Sequence, residues 1–172
     1  MESSEFETAV LPHLDAAYTL ARYLTRNEQD AADVVQDACL RALKYFDRFR
    51  GEEGASARAW LLAIVRNTAY SWGRRHRGDA LAVEFDETVH SHAVADDHPE
   101  GALLRKAAKE TLGRALDRLA PEFREVIVLR ELEGLSYKEI SDVAGVPVGT
   151  VMSRLSRARA RLQEALREEE ER

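Results

Sequence analysis

The residues best suited to chemistry in this chain are a run of serines and arginines near its end. Ser153, Arg154, Ser156, Arg157, Arg159 and Arg161 fall close together, and from Val148 to Arg161 there are four Arg and no acid. Hydroxyls and guanidiniums are donors sized for base edges and phosphate oxygens in a DNA major groove. Gly149 and Thr150 precede them, where the free N–H groups at a helix start favour a phosphate. An isolated Arg-rich helix is more often just a solvated face. Here the flanking elements argue otherwise.

Those elements are written in LSYKEISDVAGVPVGTVMSRLSRARARL, Leu135 to Leu162. Ser136 followed by Glu139 makes a capping box for a short helix, Tyr137 to Ala144. Gly145, Val146 and Pro147 turn the chain. A longer helix then shows Val148, Val151, Leu155, Ala158, Leu162 and Leu166 at spacings of three and four. Ile140, Ala144, Val151 and Leu155 would lock the two helices together. A short capped helix, a glycine turn and a basic second helix make a helix-turn-helix.

A second basic stretch lies upstream. Residues 51–78 hold five Arg against two Glu, residues 79–103 hold seven acids and no Lys or Arg, and Glu168 to Glu171 is an acidic run. The net charge of -6 therefore hides two basic stripes. Local fields steer binding more than the sum does.

Helical spacing recurs from end to end. Phe6 and Val10 open it, and Pro12 suits the first turn of a second helix with Leu14, Tyr18, Ala21 and Leu24 on one face. Asp30 is expected to cap a third helix, whose apolar set is Val34, Val35, Ala38, Ala42, Leu43 and Phe46. Gly51 and Gly54 mark a loop. Ser56 is expected to cap a fourth helix carrying Trp60, Leu61, Ile64, Val65, Thr68 and Trp72. Residues 78–101 show no period and read as a flexible acidic linker. Beyond it run Leu104, Ala108, Leu112, Leu116 and Leu119. Pro121 then starts a helix with Phe123, Val126, Ile127 and Leu132 facing inward, ended by Gly134. The expected fold is all-α: two small helical domains, residues 1–77 and 102–172, joined by that linker, the second a helix-turn-helix.

At VPVGTVMSRLSRARARL, preceded by LRELEGLSYKEIS, the chain resembles the promoter-binding domain of sigma factors of the extracytoplasmic-function (ECF) group. DAADVVQDACLRALKYFDRFRG resembles that family's polymerase-docking region, and RAWLLAIVRNTAYSWGRRHR its strand-opening region. The resemblance covers nearly the whole chain except the linker and the acidic tail.

The resemblance implies an alternative sigma factor that binds core RNA polymerase, directs it to promoter DNA and helps open the -10 region. It implies that Asp33, Val34, Gln36, Asp37 and Arg41 dock on the polymerase. Phe49 and Asn67 would surround a base flipped from the -10 element, by stacking and by edge reading. Phe49 fits a core position equally well. Arg66, Arg74, Arg75 and Arg77 would hold phosphates of the melted strand. Trp60 and Trp72 read as core. In the last helix, Ser153, Ser156 and Arg157 fall on positions that read the -35 element, while Thr150, Arg154 and Arg159 would grip phosphates. Met152 stands where the family usually has Arg, and Ala63 where it often has a polar residue. An anti-sigma factor is the implied protein partner. Free in solution, weak promoter binding is expected, with acidic segments folded over the basic stripes.

Other classes find less support. There is no Gly-rich phosphate loop, nucleophile elbow or metal-spaced Cys cluster, so no enzyme, cofactor, metal or small-molecule substrate is expected. His90, His92 and His98 read as a solvated loop, and the single Cys39 as an inert, buried thiol. No apolar run suggests membrane insertion, the first residues show no signal-peptide pattern, and a cytoplasmic location is expected. The rival is a helix-turn-helix transcriptional regulator that is not a polymerase subunit. A two-component response regulator would need an α/β receiver, and no β-rich runs occur. A protein-binding helical module is disfavoured by the acid-free Arg helix.

Overall fold

The computed structural model describes residues 2–50, 54, 56–76 and 99–172. Every regular element in them is helical: α1 Glu2–Val10, α2 Leu14–Thr25, α3 Glu28–Arg50, α4 Ala57–His76, α5 Pro99–Asp117, α6 Pro121–Ile127, α7 Tyr137–Ala144 and α8 Val148–Glu170. A 3-10 turn, Leu11–His13, holds Pro12 just ahead of α2. The expected linker lies outside the described residues, except that α5 already begins at Pro99. Arg77, Gly51, His90, His92 and His98 lie outside them too.

The helix boundaries follow local chemistry. The Asn27 carboxamide oxygen accepts from the Asp30 N–H at 2.9 Å, so Asn27 caps α3 in place of the expected Asp30. Asp30 sits instead within the first turn, where its charge favours the helix dipole. Ser56 caps α4 as expected, accepting from the Ala59 N–H at 3.1 Å. Pro121 begins α6, where its missing N–H costs nothing. The chain after α6 widens into one π turn, Val128–Leu132, and Glu133 N–H bonds back to the Val128 carbonyl at 3.1 Å.

In the first half, α2, α3 and α4 pack on one another around Leu20, Val34, Leu61, Leu62 and Val65. Ala17, Ala21, Ala31, Ala38 and Ala42 are wholly buried, and small side chains let helix axes approach closely. Leu43 is 54% exposed, against its expected place in this core. It lies one residue round from Ala42, about 100° along the helix, and that rotation carries it outward. In the second half, Leu116, Val126, Leu129, Leu135, Ile140, Val151 and Leu155 form the core. Leu132, expected inside, is 43% exposed because the π turn shifts the register, and Ala108 is exposed as well.

The two halves share one continuous buried cluster. α4 lies along α7, and α2 touches α5, α6 and the π turn. Arg124 is 3% exposed and donates to the carbonyls of Leu116 (3.1 Å), Leu119 (3.0 Å) and Tyr23 (2.7 Å). One guanidinium thus bonds carbonyls near the ends of α5 and α2, which belong to different halves.

Candidate nucleic-acid interface

The helix-turn-helix is built as its residues require. Ser136 Oγ accepts from the Glu139 N–H at 3.1 Å, and Glu139 Oε1 accepts from the Ser136 N–H at 3.2 Å. Gly145 ends α7 at φ 68°, a conformation that suits glycine. Ser141 Oγ donates to the Val146 carbonyl at 2.5 Å and fixes the turn. Ile140, Val143, Ala144, Val151, Leu155 and Ala158 then bury one side of both helices.

What remains outward on α8 is a polar, cationic surface. Ser153, Ser156, Arg157, Arg159 and Arg161 are exposed, and Thr150 and Arg154 are half-buried at its edge. Ser153 donates to the Thr150 carbonyl at 3.1 Å. Arg159 is tethered by two bonds to Glu131 Oε1, 2.9 and 2.7 Å, and Arg161 lies over the Phe123 ring at 4.9 Å. The Glu131 hydrogen bond and charge outweigh desolvation and raise the Arg159 pKa. The acidic tail does not cover this face, contrary to expectation. Glu168 pairs instead with Arg118, just past α5, and Glu169 with Arg114 of α5 at 3.0 Å.

The second stripe, on α4, meets a different environment. Arg66 Nε donates to Glu125 Oε1 at 2.7 Å, and the Tyr70 hydroxyl donates to Glu125 Oε2 at 2.9 Å. Glu125 belongs to α6 and is fully buried. Burial works against the Arg66 charge, but the Glu125 hydrogen bond and charge outweigh it and raise its pKa. Burial and the same carboxylate push the Tyr70 phenol upward. Asn67, on the next position, is exposed and accepts from Arg66 at 3.2 Å. Arg74 and Arg75 are exposed at the end of α4, the first bonded to Ser71 at 3.3 Å and the second over the Trp72 ring at 5.7 Å.

At the start of α4, Arg58 binds both Glu139 carboxylate oxygens at 3.1 Å. Burial disfavours the Glu139 charge, yet the Ser136 backbone bond and Arg58 lower its pKa overall. One carboxylate therefore caps α7 and also ties the helix-turn-helix to α4. Phe49 is half-buried with one face stacked on Trp60 at 4.6 Å, so it serves the core while keeping part of its ring outward.

On the outer side of α3, Gln36 and Arg41 are exposed, and Asp33 and Asp37 half-buried. Arg41 pairs with Asp37 at 3.3 Å. Val34 is 0% exposed and is not part of this face. It repeats with Ala31, Ala38 and Ala42 on the buried stripe, so helical phase removes it from any docking surface. Sequence reasoning missed Leu40, 62% exposed, which with Leu43 adds an apolar centre to the charged patch. The signal was their spacing of three, out of phase with the alanine stripe. Cys39 is half-buried where a buried thiol was expected, and burial raises its thiol pKa. Among the described residues, no group of three or more His, Cys, Asp or Glu is placed to hold a metal, and no helix is long and apolar enough to cross a membrane.

Comparison with known proteins agrees with this layout. The model of Sigma-70 region 2 matches residues 9–78, and that of Sigma-70 region 4 matches residues 109–162. The chain is 36% identical over 150 residues to the ECF RNA polymerase sigma-E factor of Haemophilus influenzae, covering 84% of this chain and 77% of that protein. It is 35% identical over 167 residues to the RNA polymerase sigma-H factor of Pseudomonas aeruginosa, covering 94% and 86%. Among solved structures, the sigma factor RpoE of Bartonella quintana, in complex with the anti-sigma factor NepR, superposes with a TM-score of 0.74 at 33% identity, covering 95% and 97%. CnrH in complex with the cytosolic domain of CnrY gives 0.66 at 30% identity, covering 95% and 88%. A regulator outside the polymerase would not need the matched region 2, and no strand of a receiver occurs among the described residues. With both regions in order on two helical halves, the chain belongs to the ECF sigma factors and is an alternative sigma factor, a transcription initiation factor that directs RNA polymerase to promoters.

Proposed function

We propose a division of this work among three surfaces. The outer face of α3, with Asp33, Gln36, Asp37, Leu40, Arg41 and Leu43, docks on the polymerase through an apolar centre ringed by charge. The outward face of α8 enters the -35 major groove, with Ser153, Ser156 and Arg157 on base edges and Thr150, Arg154 and Arg159 on phosphates. α4, with the end of α3 and the residue after α4, takes the melted -10 strand, with Asn67 and Phe49 at a flipped base and Arg66, Arg74, Arg75 and Arg77 on phosphates. The domains divide between α4 and α5, and the length and acidity of the stretch that ends where α5 begins at Pro99 suit a linker between separated DNA sites.

The observation that carries this reading is the exposed, acid-free face of α8 held on a capped helix-turn-helix. The Arg66–Glu125–Tyr70 contact supports a resting state in which Arg66 of α4 is held by the other half while Asn67, Arg74 and Arg75 stay exposed, so free protein binds promoter DNA weakly. The protein acts in the cytoplasm, beside its polymerase and DNA. Its inhibitory partner is an anti-sigma factor. The similar sigma factor RpoE is in complex with one, the anti-sigma factor NepR, and superposes on nearly all of this chain.

Run-off transcription tests the reading. Purified core polymerase with this protein is expected to start transcripts on a subset of genomic fragments sharing two spaced motifs. No transcripts, together with no co-purification with the polymerase, would overturn it.

A further inference from the structure

One feature of α8 is foreign to a donor-lined reading face. Val148 and Met152 are 40% and 53% exposed, one turn apart at the start of the helix. Val148, Gly149 and Thr150 precede Met152, and Ser153 and Ser156 follow it, so the apolar pair borders the hydroxyl and guanidinium donors. Ser156 sits one turn beyond Met152, about 40° round the helix. A Cβ placed at Gly149 would meet no heavy atom within 4 Å, so this end of the helix is open to close approach. Nothing acidic lies on α8 before Glu164. A polyanion can therefore come close here, and an apolar protein surface would have to desolvate the neighbouring arginines.

In a major groove the one apolar group on the base edges is the thymine C5-methyl. Met is flexible and its thioether polarizable, so it adapts its contact to such a group. A long unbranched side chain on the first turns of a recognition helix reaches the groove floor beside bases read by Ser153 and Ser156. We infer that Met152, backed by Val148, is a specificity-determining residue that selects a thymine in the -35 element through its methyl group. This rests on the proposed seating of α8 in the -35 groove. Discrimination at that base pair then comes from burial of a methyl and not from a hydrogen bond.

The test uses holoenzyme reconstituted from core polymerase and the full chain. A -35 element is first selected from randomised duplexes. Each thymine in it is then replaced singly by uracil, which removes only the methyl. Wild-type holoenzyme is expected to lose about fourfold in binding at one thymine, the size of burying one methyl-sized group. M152A is expected to bind the thymine and uracil duplexes equally, and V148A to show a smaller loss of discrimination. Both side chains are exposed, so neither variant should unfold the domain. Indifference of the wild type to uracil everywhere, a selected element without thymine, or an unchanged uracil effect in M152A would each overturn the inference. Failure to select any -35 sequence would instead count against the seating of α8 itself.

Discussion

The two basic stripes carry similar charge but differ in how their central residues are engaged. On α8, Ser153, Ser156 and Arg157 face outward. On α4, Arg66 is closed against a buried glutamate from the other half of the molecule. The difference lies in what each helix packs against. α8 buries one side within its own domain and leaves the other to solvent. α4 is packed by α2 and α3 and is also covered by α7, so Arg66 and Tyr70 on its covered length find a partner inside the protein, while Asn67, Arg74 and Arg75 stay exposed. A stripe of arginines in a sequence thus states a charge, while its availability is decided by domain contact. On the proposed division of the promoter, the contrast orders the events, with the -35 surface ready and Arg66 of the -10 surface released later.

The contrast can be broken most forcefully at Glu125. Glu125→Ala leaves the Arg66 guanidinium and the Tyr70 hydroxyl without their shared acceptor. Arg66 keeps some solvent access, which lowers the cost, and the closed arrangement should weaken by about 1–3 kcal/mol. Small-angle scattering of the free chain should then show a larger radius of gyration than wild type. On the open stripe, Arg157→Ala should cost about 1–3 kcal/mol of -35 discrimination, read by competition between cognate and mutated duplexes. An equal loss on all sequences would assign Arg157 to phosphate.

Glu131→Gln sharpens the comparison within α8 itself. It releases Arg159 from its carboxylate, so affinity for any duplex should rise modestly. The slope of log K against log salt should steepen by about one.

The smallest effect is with pH. Glu139 has a lowered pKa in the folded protein, so its contribution is full above the ordinary glutamate value of about 4.3 and is lost as pH falls through the lower one. Glu133 acts in the opposite sense, because burial raises its pKa. Melting temperatures in acid should therefore fall less steeply in Glu139→Gln than in wild type.

Much of this was legible in the residues because it is local. The Ser136/Glu139 capping box, Pro121 at a helix start, the Gly145 stop and the outward Ser153, Ser156 and Arg157 depend on neighbours within a turn or two. What escaped depends on distance or phase. Val34 belonged by its own spacing to the buried stripe, yet it sits inside the DVVQD string whose resemblance suggested docking. Leu43 is apolar but one position out of phase. Asn27, three residues before Asp30, took the cap because the helix begins earlier than its apolar pattern. The Glu125 contact spans 59 residues to Arg66, and no local rule reports it. A hint was present: Val126 to Leu129 is an unbroken apolar run, which marks a helix buried on all sides. Charges beside such a run, Arg124 and Glu125, must be paired within the protein.

The most direct test of the open and closed stripes is fluorescence anisotropy of the free chain with two probes, a -35 duplex and a single-stranded -10 oligonucleotide. Wild type should bind the duplex weakly and the single strand more weakly still, while Glu125→Ala should bind the single strand more tightly than wild type with its duplex affinity little changed. Equal single-strand affinity for wild type and Glu125→Ala would contradict the account, since α4 would then be available whatever Glu125 does.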